Sequence, residues 1–257
     1  MSEPDPVAEE SESNISALPE RKGLRRGIYL LPNLITTGAL FSGFYAIIAS
    51  MSGSLESAAI AIVIAGFLDS LDGRIARLTN TASEFGVQYD SLSDLVAFGV
   101  APAVLMFSWI LSDLGKIGWM IAFLYMACAA LRLARFNTAP DTKVFFGLAS
   151  PAAAGTVATI VWVWVDNLDP VVSLQVGVPM ALFVSALALL MVSNIRYYSP
   201  KHMGMGRVSF FSIVGVVLLF VVVAVYPPGM LLLVGVVYAI SGPLQALWRW
   251  REAKPQV

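Results

Sequence analysis

Long apolar segments recur along this chain after residue 31, and they constrain its fold more than any other feature. Glycines, prolines and charged residues divide them into eight candidate spans at about 32–51, 55–78, 88–110, 114–135, 150–166, 175–195, 208–226 and 229–248. A helix of about 20 apolar residues crosses a bilayer core of roughly 30 Å. Hydrophobic residues make up 58% of the chain, against roughly 45–50% in soluble domains. We therefore predict an all-α, polytopic transmembrane helical bundle with about eight spans.

The distribution of basic residues predicts the orientation of the bundle. If the N-terminus is cytoplasmic, 15 of the 16 lysines and arginines fall on the cytoplasmic side and only Lys116 falls outside. Cytoplasmic loops of membrane proteins carry such an excess of positive charge. Both termini are therefore expected in the cytoplasm.

The first 20 residues differ from the rest of the chain. They contain six acidic residues and no apolar stretch behind a basic segment, a pattern typical of a disordered tail rather than a signal peptide. We predict a disordered acidic tail at 1–20 and a single transmembrane domain at 21–257.

Four aspartates cluster where the second and third predicted spans face each other. Asp69 and Asp72 are three positions apart, and Asp90 and Asp94 are four apart, so each pair lies on one helical face. Two antiparallel helices can present all four carboxylates to one point. Four anions together near a bilayer are strongly unfavourable without cations. Oxygen ligands without nearby His or Cys favour Mg²⁺, Mn²⁺ or Ca²⁺ over zinc.

Two glycines and an arginine share the faces of these aspartates. Gly73 and Arg77 follow Asp69 at intervals of four, and Gly86 precedes Asp90 by four. A glycine lets a ligand approach the backbone closely, and the planar arginine fork suits phosphate. Metal ions, bare backbone and an arginine together predict a site for a diphosphate.

A second class of protein also uses intramembrane carboxylates. A divalent-cation transporter or channel places acids along its ion path. It does not need the glycine and arginine positions, nor all four acids at cytoplasmic helix ends. The spacing favours an enzyme, with the transporter as the alternative.

The cluster matches the pattern D-x-x-D-G-x-x-A-R-x8-G-x-x-x-D-x-x-x-D at every specified position. The matching residues are Asp69, Asp72, Gly73, Ala76, Arg77, Gly86, Asp90 and Asp94. This chain thereby resembles the CDP-alcohol phosphatidyltransferase family. Three looser segments, RRGIYLLPNLITTGALFSGFYAI, ALRLARFN and NIRYYSPK, resemble the phosphatidylserine synthase branch of that family.

The resemblance implies roles for individual residues. It implies two Mg²⁺ or Mn²⁺ ions held by Asp69, Asp72 and Asp90, with Asp94 as the general base and a possible further ligand. The residues that it places against the cytidine diphosphate portion of the lipid are Gly73, Arg77, Gly86, Asn33 and Thr36.

The resemblance also implies the reaction. CDP-diacylglycerol and L-serine would give phosphatidylserine and CMP in the bacterial inner (cytoplasmic) membrane, at an active site facing the cytoplasm. The expected partners are these two substrates, membrane lipids and a second copy of the chain in a homodimer, with no nucleic acid. Sibling enzymes that use glycerol 3-phosphate or inositol phosphate remain the alternative.

Four basic residues are candidates for binding the acceptor. Arg132 and Arg135 are three positions apart near the cytoplasmic end of the fourth span, where they can bind a carboxylate or a phosphate. Arg196 and Lys201 are expected at a similar depth. An ordinary excess of positive charge at the membrane interface also explains these four residues. They therefore do not identify the acceptor alcohol.

Overall fold

The computed structural model describes residues 22–79, 81, 83–138, 145–167, 174–197 and 225–252. Within these ranges the regular structure is helical apart from one pair of two-residue strands. The prediction of an all-α fold is confirmed. The predicted tail at 1–20 and nearly all of the predicted span at 208–226 lie outside the described residues.

Eight α-helices form in the described ranges, and their bounds follow the apolar segments closely. They are α1 Lys22–Met51, α2 Leu55–Thr79, α3 Glu84–Asp94, α4 Ala101–Trp109, α5 Lys116–Thr138, α6 Ser150–Asn167, α7 Leu174–Val192 and α8 Pro227–Glu252. A π-helical segment, Leu95–Val100, joins α3 to α4, and a 3-10 turn, Leu111–Leu114, precedes α5. Strands β1, Phe145–Phe146, and β2, Arg196–Tyr197, pair antiparallel.

Five helical segments in the described ranges are long and apolar enough to cross a membrane. They are Leu31–Met51, Glu84–Trp109, Lys116–Thr138, Gln175–Val192 and Pro227–Trp248. Helices α2 and α6 occupy two further predicted spans, but α2 carries the charges of the aspartate cluster and α6 begins and ends with polar residues. The chain is an integral membrane protein.

The helices pack into one bundle in which α1 and α2 lie side by side. Helix α1 also contacts α3, the π segment and α4, while α2 packs on α6, α5 on α7, and α6 on α8. Alanines fill much of the buried core, among them Ala46, Ala58, Ala65, Ala154 and Ala158. Such small side chains let membrane helices approach closely.

The π segment lies directly after Asp94 and has a local cause. The N–H of Ala101 bonds the carbonyl of Val96, five residues back. Pro102 has no N–H to donate to the Phe98 carbonyl, so the regular ladder is interrupted there. A π turn of this kind is often found at a functional site.

Helix α1 touches the π segment through backbone. A Cβ atom added to Gly43 would lie 2.7 Å from the Cα of Ala97 and 2.9 Å from its Cβ. Because Gly43 has no side chain, α1 packs against the helix that carries Asp90 and Asp94. This contact brings α1 against the π segment that directly follows Asp94.

A short clasp ties α6 to α7 and α8. The N–H of Gly147 bonds the carbonyl of Ile195 at 2.8 Å, and the N–H of Leu148 bonds the carbonyl of Leu190 at 3.0 Å. Gly147 has φ +77°, a conformation that favours glycine. The Tyr197 hydroxyl donates to the Ala239 carbonyl of α8 at 3.0 Å. The start of α6 is thereby fixed from two sides.

The Gly43 contact predicts a stability effect. Gly43→Ala should lower the free energy of unfolding by about 1–3 kcal/mol, because the added methyl overpacks the backbone contact. The thermal unfolding midpoint of purified protein in detergent measures this. Gly155→Ala is the matched control, because its Cβ meets no atom within 4 Å. Equal midpoints for parent and Gly43→Ala would contradict the contact.

Candidate active site

Helices α2 and α3 bring their four aspartates together. Carboxylate oxygens of Asp69, Asp72 and Asp90 all lie within 4.8 Å of one another. Asp94 lies one turn further along and is within hydrogen-bonding reach of Asp69. The four groups form one continuous cluster at the facing ends of the two helices, where the sequence places them.

Helix α1 supports the cluster through a buried threonine. The Thr36 hydroxyl lies 2.7 Å from Oδ2 of Asp72 and 3.0 Å from the Pro32 carbonyl, so its one proton serves two acceptors. Asp72 is only 5% exposed. The Ser93 hydroxyl donates to the Thr36 carbonyl at 3.2 Å. Thr36 therefore joins α1 to both aspartate-bearing helices.

The charges of the cluster fit a divalent cation. In the described part of the chain, none of the four carboxylates forms a salt bridge with a lysine or arginine. Two carboxylates as close as Asp69 and Asp94 must share a proton or a cation. An oxygen-only donor set matches the preference of Mg²⁺ or Mn²⁺. The chemistry of the donors therefore agrees with a metal centre at Asp69, Asp72 and Asp90.

A cavity of about 150 Å³ opens beside the cluster, between the ends of α1, α2 and α3. Its walls are Pro32, Asn33, Thr36, Asp72, Gly73, Ala76, Thr81, Ser83, Gly86, Val87 and Asp90. Four of the five residues predicted to contact the cytidine diphosphate line it, namely Asn33, Thr36, Gly73 and Gly86. Asp72 and Asp90 share this space with those four predicted nucleotide contacts.

Gly86 keeps this cavity open next to a helix cap. The Ser83 side chain accepts the N–H of Gly86 at 3.0 Å and caps α3. A Cβ on Gly86 would lie 3.1 Å from Ser83 Oγ and 3.4 Å from Asn33 Oδ1. Glycine at this position therefore leaves room for the cap and for the amide of Asn33.

Arg77 stands at the edge of the cavity. Its side chain is exposed, and its Nε donates to the Gly73 carbonyl at 2.7 Å. A Cβ on Gly73 would meet Arg77 Nη2 at 3.9 Å and no closer atom. The arginine folds over the glycine face, and its exposed charge is available to a phosphate there.

The predicted acceptor residues have different environments. Arg132 is buried, its Nη1 donates to Ser150 Oγ at 2.7 Å, and its charge interacts with Asp94. Arg135 is exposed, with its guanidinium 5.5 Å from the Phe146 ring centroid. Arg196 contributes backbone to β2, but its side chain is outside the described part of the structure, and Lys201 lies outside the described residues altogether. Of the two whose side chains the structure describes, Arg132 is the one placed beside the aspartates.

Three polar residues of this region have no role in the sequence prediction. Thr81 and Ser83 occupy the unspecified part of the motif, and Ser150 is 18 positions from Arg132. A serine three residues before Gly86 is a helix-capping signal that identifies Ser83. Nothing in the local sequence connects Ser150 to Arg132.

Comparison with known proteins agrees with this site. The CDP-alcohol phosphatidyltransferase family model matches residues 29–242. A CDP-diacylglycerol–serine O-phosphatidyltransferase of Helicobacter pylori is 40% identical over 68% of this chain and 74% of its own length. The enzyme of that name from Bacillus subtilis is 33% identical over 67% and 92%. An archaetidylserine synthase of Methanothermobacter thermautotrophicus is 36% identical over 68% and 72%. This chain belongs to the CDP-alcohol phosphatidyltransferase family.

Proposed function

We propose that this chain is a phosphatidylserine synthase. It transfers the phosphatidyl group of CDP-diacylglycerol to the hydroxyl of L-serine and releases CMP. The convergence of four aspartates beside a cavity lined by the motif glycines carries the proposal of phosphatidyl transfer. The choice of serine is supported by the names of the bacterial relatives, which are CDP-diacylglycerol–serine O-phosphatidyltransferases.

The aspartate cluster is the proposed metal centre. Asp69, Asp72 and Asp90 would hold two Mg²⁺ or Mn²⁺ ions, with Asp94 as a possible further ligand. When bound, the ions neutralise the diphosphate and stabilise charge on the departing CMP. Thr36 fixes the orientation of Asp72 through the 2.7 Å hydrogen bond, as an outer hydrogen bond orients a metal ligand.

The cavity is the proposed site for the cytidine diphosphate portion of the lipid. Gly73 and Gly86 present backbone without side chains, so a diphosphate can lie close to both helices. Asn33 and Thr36 offer an amide and a hydroxyl from the α1 side. Arg77 at the edge would pair with a phosphate oxygen. The acyl chains would remain in the bilayer between the spans.

Asp94 is the proposed general base. As the serine hydroxyl oxygen attacks the phosphorus that bears the diacylglycerol, its proton passes to the Asp94 carboxylate. The bond from that phosphorus to the bridging diphosphate oxygen breaks, and CMP leaves. Asp94 is within hydrogen-bonding reach of Asp69 and interacts with the charge of Arg132, which supports a position near both substrates.

Arg132 is the proposed ligand of the serine carboxylate. Its guanidinium is buried and interacts with Asp94, so a carboxylate on it would hold the serine hydroxyl near the base. An arginine fork binds a carboxylate with two parallel hydrogen bonds. Arg135, Arg196 and Lys201 would attract anionic substrates toward the site.

The proposed arrangement in the membrane follows from the distribution of charge. Eight spans, with both termini in the cytoplasm, would place the aspartates at the cytoplasmic face of the bacterial inner membrane. Residues 21–257 would form the catalytic domain behind the acidic tail. We also propose a homodimer in the membrane, as the family resemblance implies.

The reaction itself is tested by CMP release. Purified protein in detergent with CDP-diacylglycerol and Mg²⁺ or Mn²⁺ should release CMP with L-serine and not with glycerol 3-phosphate or inositol phosphate. EDTA should abolish release, and added metal should restore it, because the carboxylates need a cation. CMP release only with glycerol 3-phosphate or inositol phosphate would make that compound the acceptor in place of serine. Metal flux into sealed vesicles without CMP release would support the transporter instead.

Removing the base should separate turnover from binding. Asp94→Asn keeps the size of the side chain but cannot accept the proton. The rate constant for CMP release should fall about 10²–10⁴-fold, as it does for loss of a general base, while CDP-lipid still binds. Asp113→Asn, an exposed aspartate far along the chain from the motif, is the control. Turnover of Asp94→Asn near that of the parent would remove Asp94 from this role.

Substitutions of the two arginines of α5 should change the KM for serine to different extents. Arg132→Lys keeps the charge but loses the planar fork, and it should raise the KM for serine about tenfold or more, with the KM for CDP-diacylglycerol near that of the parent. Arg135→Lys, exposed on the same helix, should change the serine KM less than about threefold. Initial rates with each substrate varied in turn measure both constants. An equal rise in the KM for both substrates in Arg132→Lys would argue against an acceptor site at Arg132.

A further inference from the structure

Ser150, the first residue of α6, places a hydroxyl in the interior beside the acceptor arginine. Its exposure is 0%, and its Oγ accepts the Nη1 proton of Arg132 at 2.7 Å. A hydrogen bond to a charged donor contributes more than a neutral one. Ser150 therefore restrains the orientation of the Arg132 guanidinium.

This restraint leaves one edge of the guanidinium free. Arg132 is about nine-tenths buried, and its Nε has no hydrogen-bond partner among the described residues. In an arginine, Nε and Nη2 form one edge, and Nη1 points away from it. That Nε–Nη2 edge is suited to bidentate contact with a carboxylate. A buried donor without a partner costs free energy unless a ligand or water satisfies it.

Two other helices contribute polar groups that interact with the guanidinium. The Arg132 charge interacts with Asp94 at the end of α3 and with Tyr238 of α8. Tyr238 packs on Tyr197, with ring centroids 5.4 Å apart. The guanidinium therefore interacts both with the proposed base and with a tyrosine of α8 that packs on β2.

Ser150 itself is held in place by the clasp. Just before it, the N–H of Leu148 bonds the Leu190 carbonyl of α7, and the N–H of Gly147 bonds the carbonyl of Ile195, which directly precedes β2. The left-handed conformation of Gly147 and the β1–β2 pair fix the path of the chain into α6. A hydroxyl on such a rigid support can set the orientation of a flexible arginine.

We propose that Ser150 is a positioning residue that holds Arg132 with its Nε–Nη2 edge open to the carboxylate of the acceptor. Ser150 thereby determines how strongly the enzyme prefers an acceptor that carries a carboxylate. This inference rests on the proposed function, because it assumes serine as the acceptor. Ser150 touches no substrate and acts only through Arg132.

Ser150→Ala tests this role by a split between kinetic constants. The KM for L-serine should rise about tenfold, in line with loss of a hydrogen bond to a charged group. The KM for CDP-diacylglycerol and the kcat should stay within about threefold of the parent, since the aspartates are untouched. Ser150→Thr, which retains the hydroxyl, should restore the serine KM. Thr159→Ala, a buried hydroxyl of α6 that bonds only its own helix, is the matched control.

A second readout compares acceptors. Parent protein should use L-serine in strong preference to L-serinamide, which lacks the carboxylate, and Ser150→Ala should narrow that preference. If Ser150→Ala fails to fold, Ser150→Cys carries the test, because a thiol is similar in size but a weaker acceptor. It should raise the serine KM, with Thr159→Ser as its control.

Several outcomes would overturn the inference. Ser150 would be merely structural if a folded Ser150 variant kept the parent KM for serine. The same conclusion would follow if kcat fell and both KM values rose by equal factors, or if the preference for L-serine over L-serinamide were unchanged. Failure of the proposed function is a separate result. In that case the parent protein releases no CMP with serine, and no Ser150 comparison is needed to show it.

Discussion

The mutual repulsion of four carboxylates is the constraint on which the rest of this structure depends. The membrane setting makes such a cluster unfavourable unless a cation neutralises it. The helices must therefore hold the groups rigidly at a distance that suits a metal ion. Asp72 is buried and bonded to Thr36, and Asp69 lies against Asp94. The cluster gains function at the expense of stability, as metal and catalytic sites commonly do.

Helix α1 provides the support for this cluster. It meets α2 and α3 through Thr36, with Ser93 bonded to the threonine carbonyl. Further along, Gly43 lets α1 pack on the π segment at Ala97. The residues that α1 contacts, Ser93 and Ala97, lie on either side of Asp94 in the sequence of the same helical segment. A change in either would alter the spacing of the aspartates without touching one of them.

A separate group of helices holds Arg132, the residue proposed to bind the acceptor. Arg132 of α5 donates to Ser150 of α6, and its charge interacts with Asp94 and with Tyr238 of α8. The clasp between β1 and β2 fixes the start of α6 relative to α7. In the proposed function, a nucleotide side made by α1 to α3 would face an acceptor side made by α5, α6 and α8.

The sequence alone determined the helical class, the position of most helices and the membership of the aspartate cluster, because apolar length and three- or four-residue spacing act within single helices. Through resemblance to a family it also singled out Asn33 and Thr36, and both line the cavity beside the aspartates. Only the tertiary structure distinguished buried Arg132 from exposed Arg135, and only it connected Arg132 to Ser150. Those relations depend on how separate helices pack, and no local pattern encodes a contact between residues 18 positions apart on different helices.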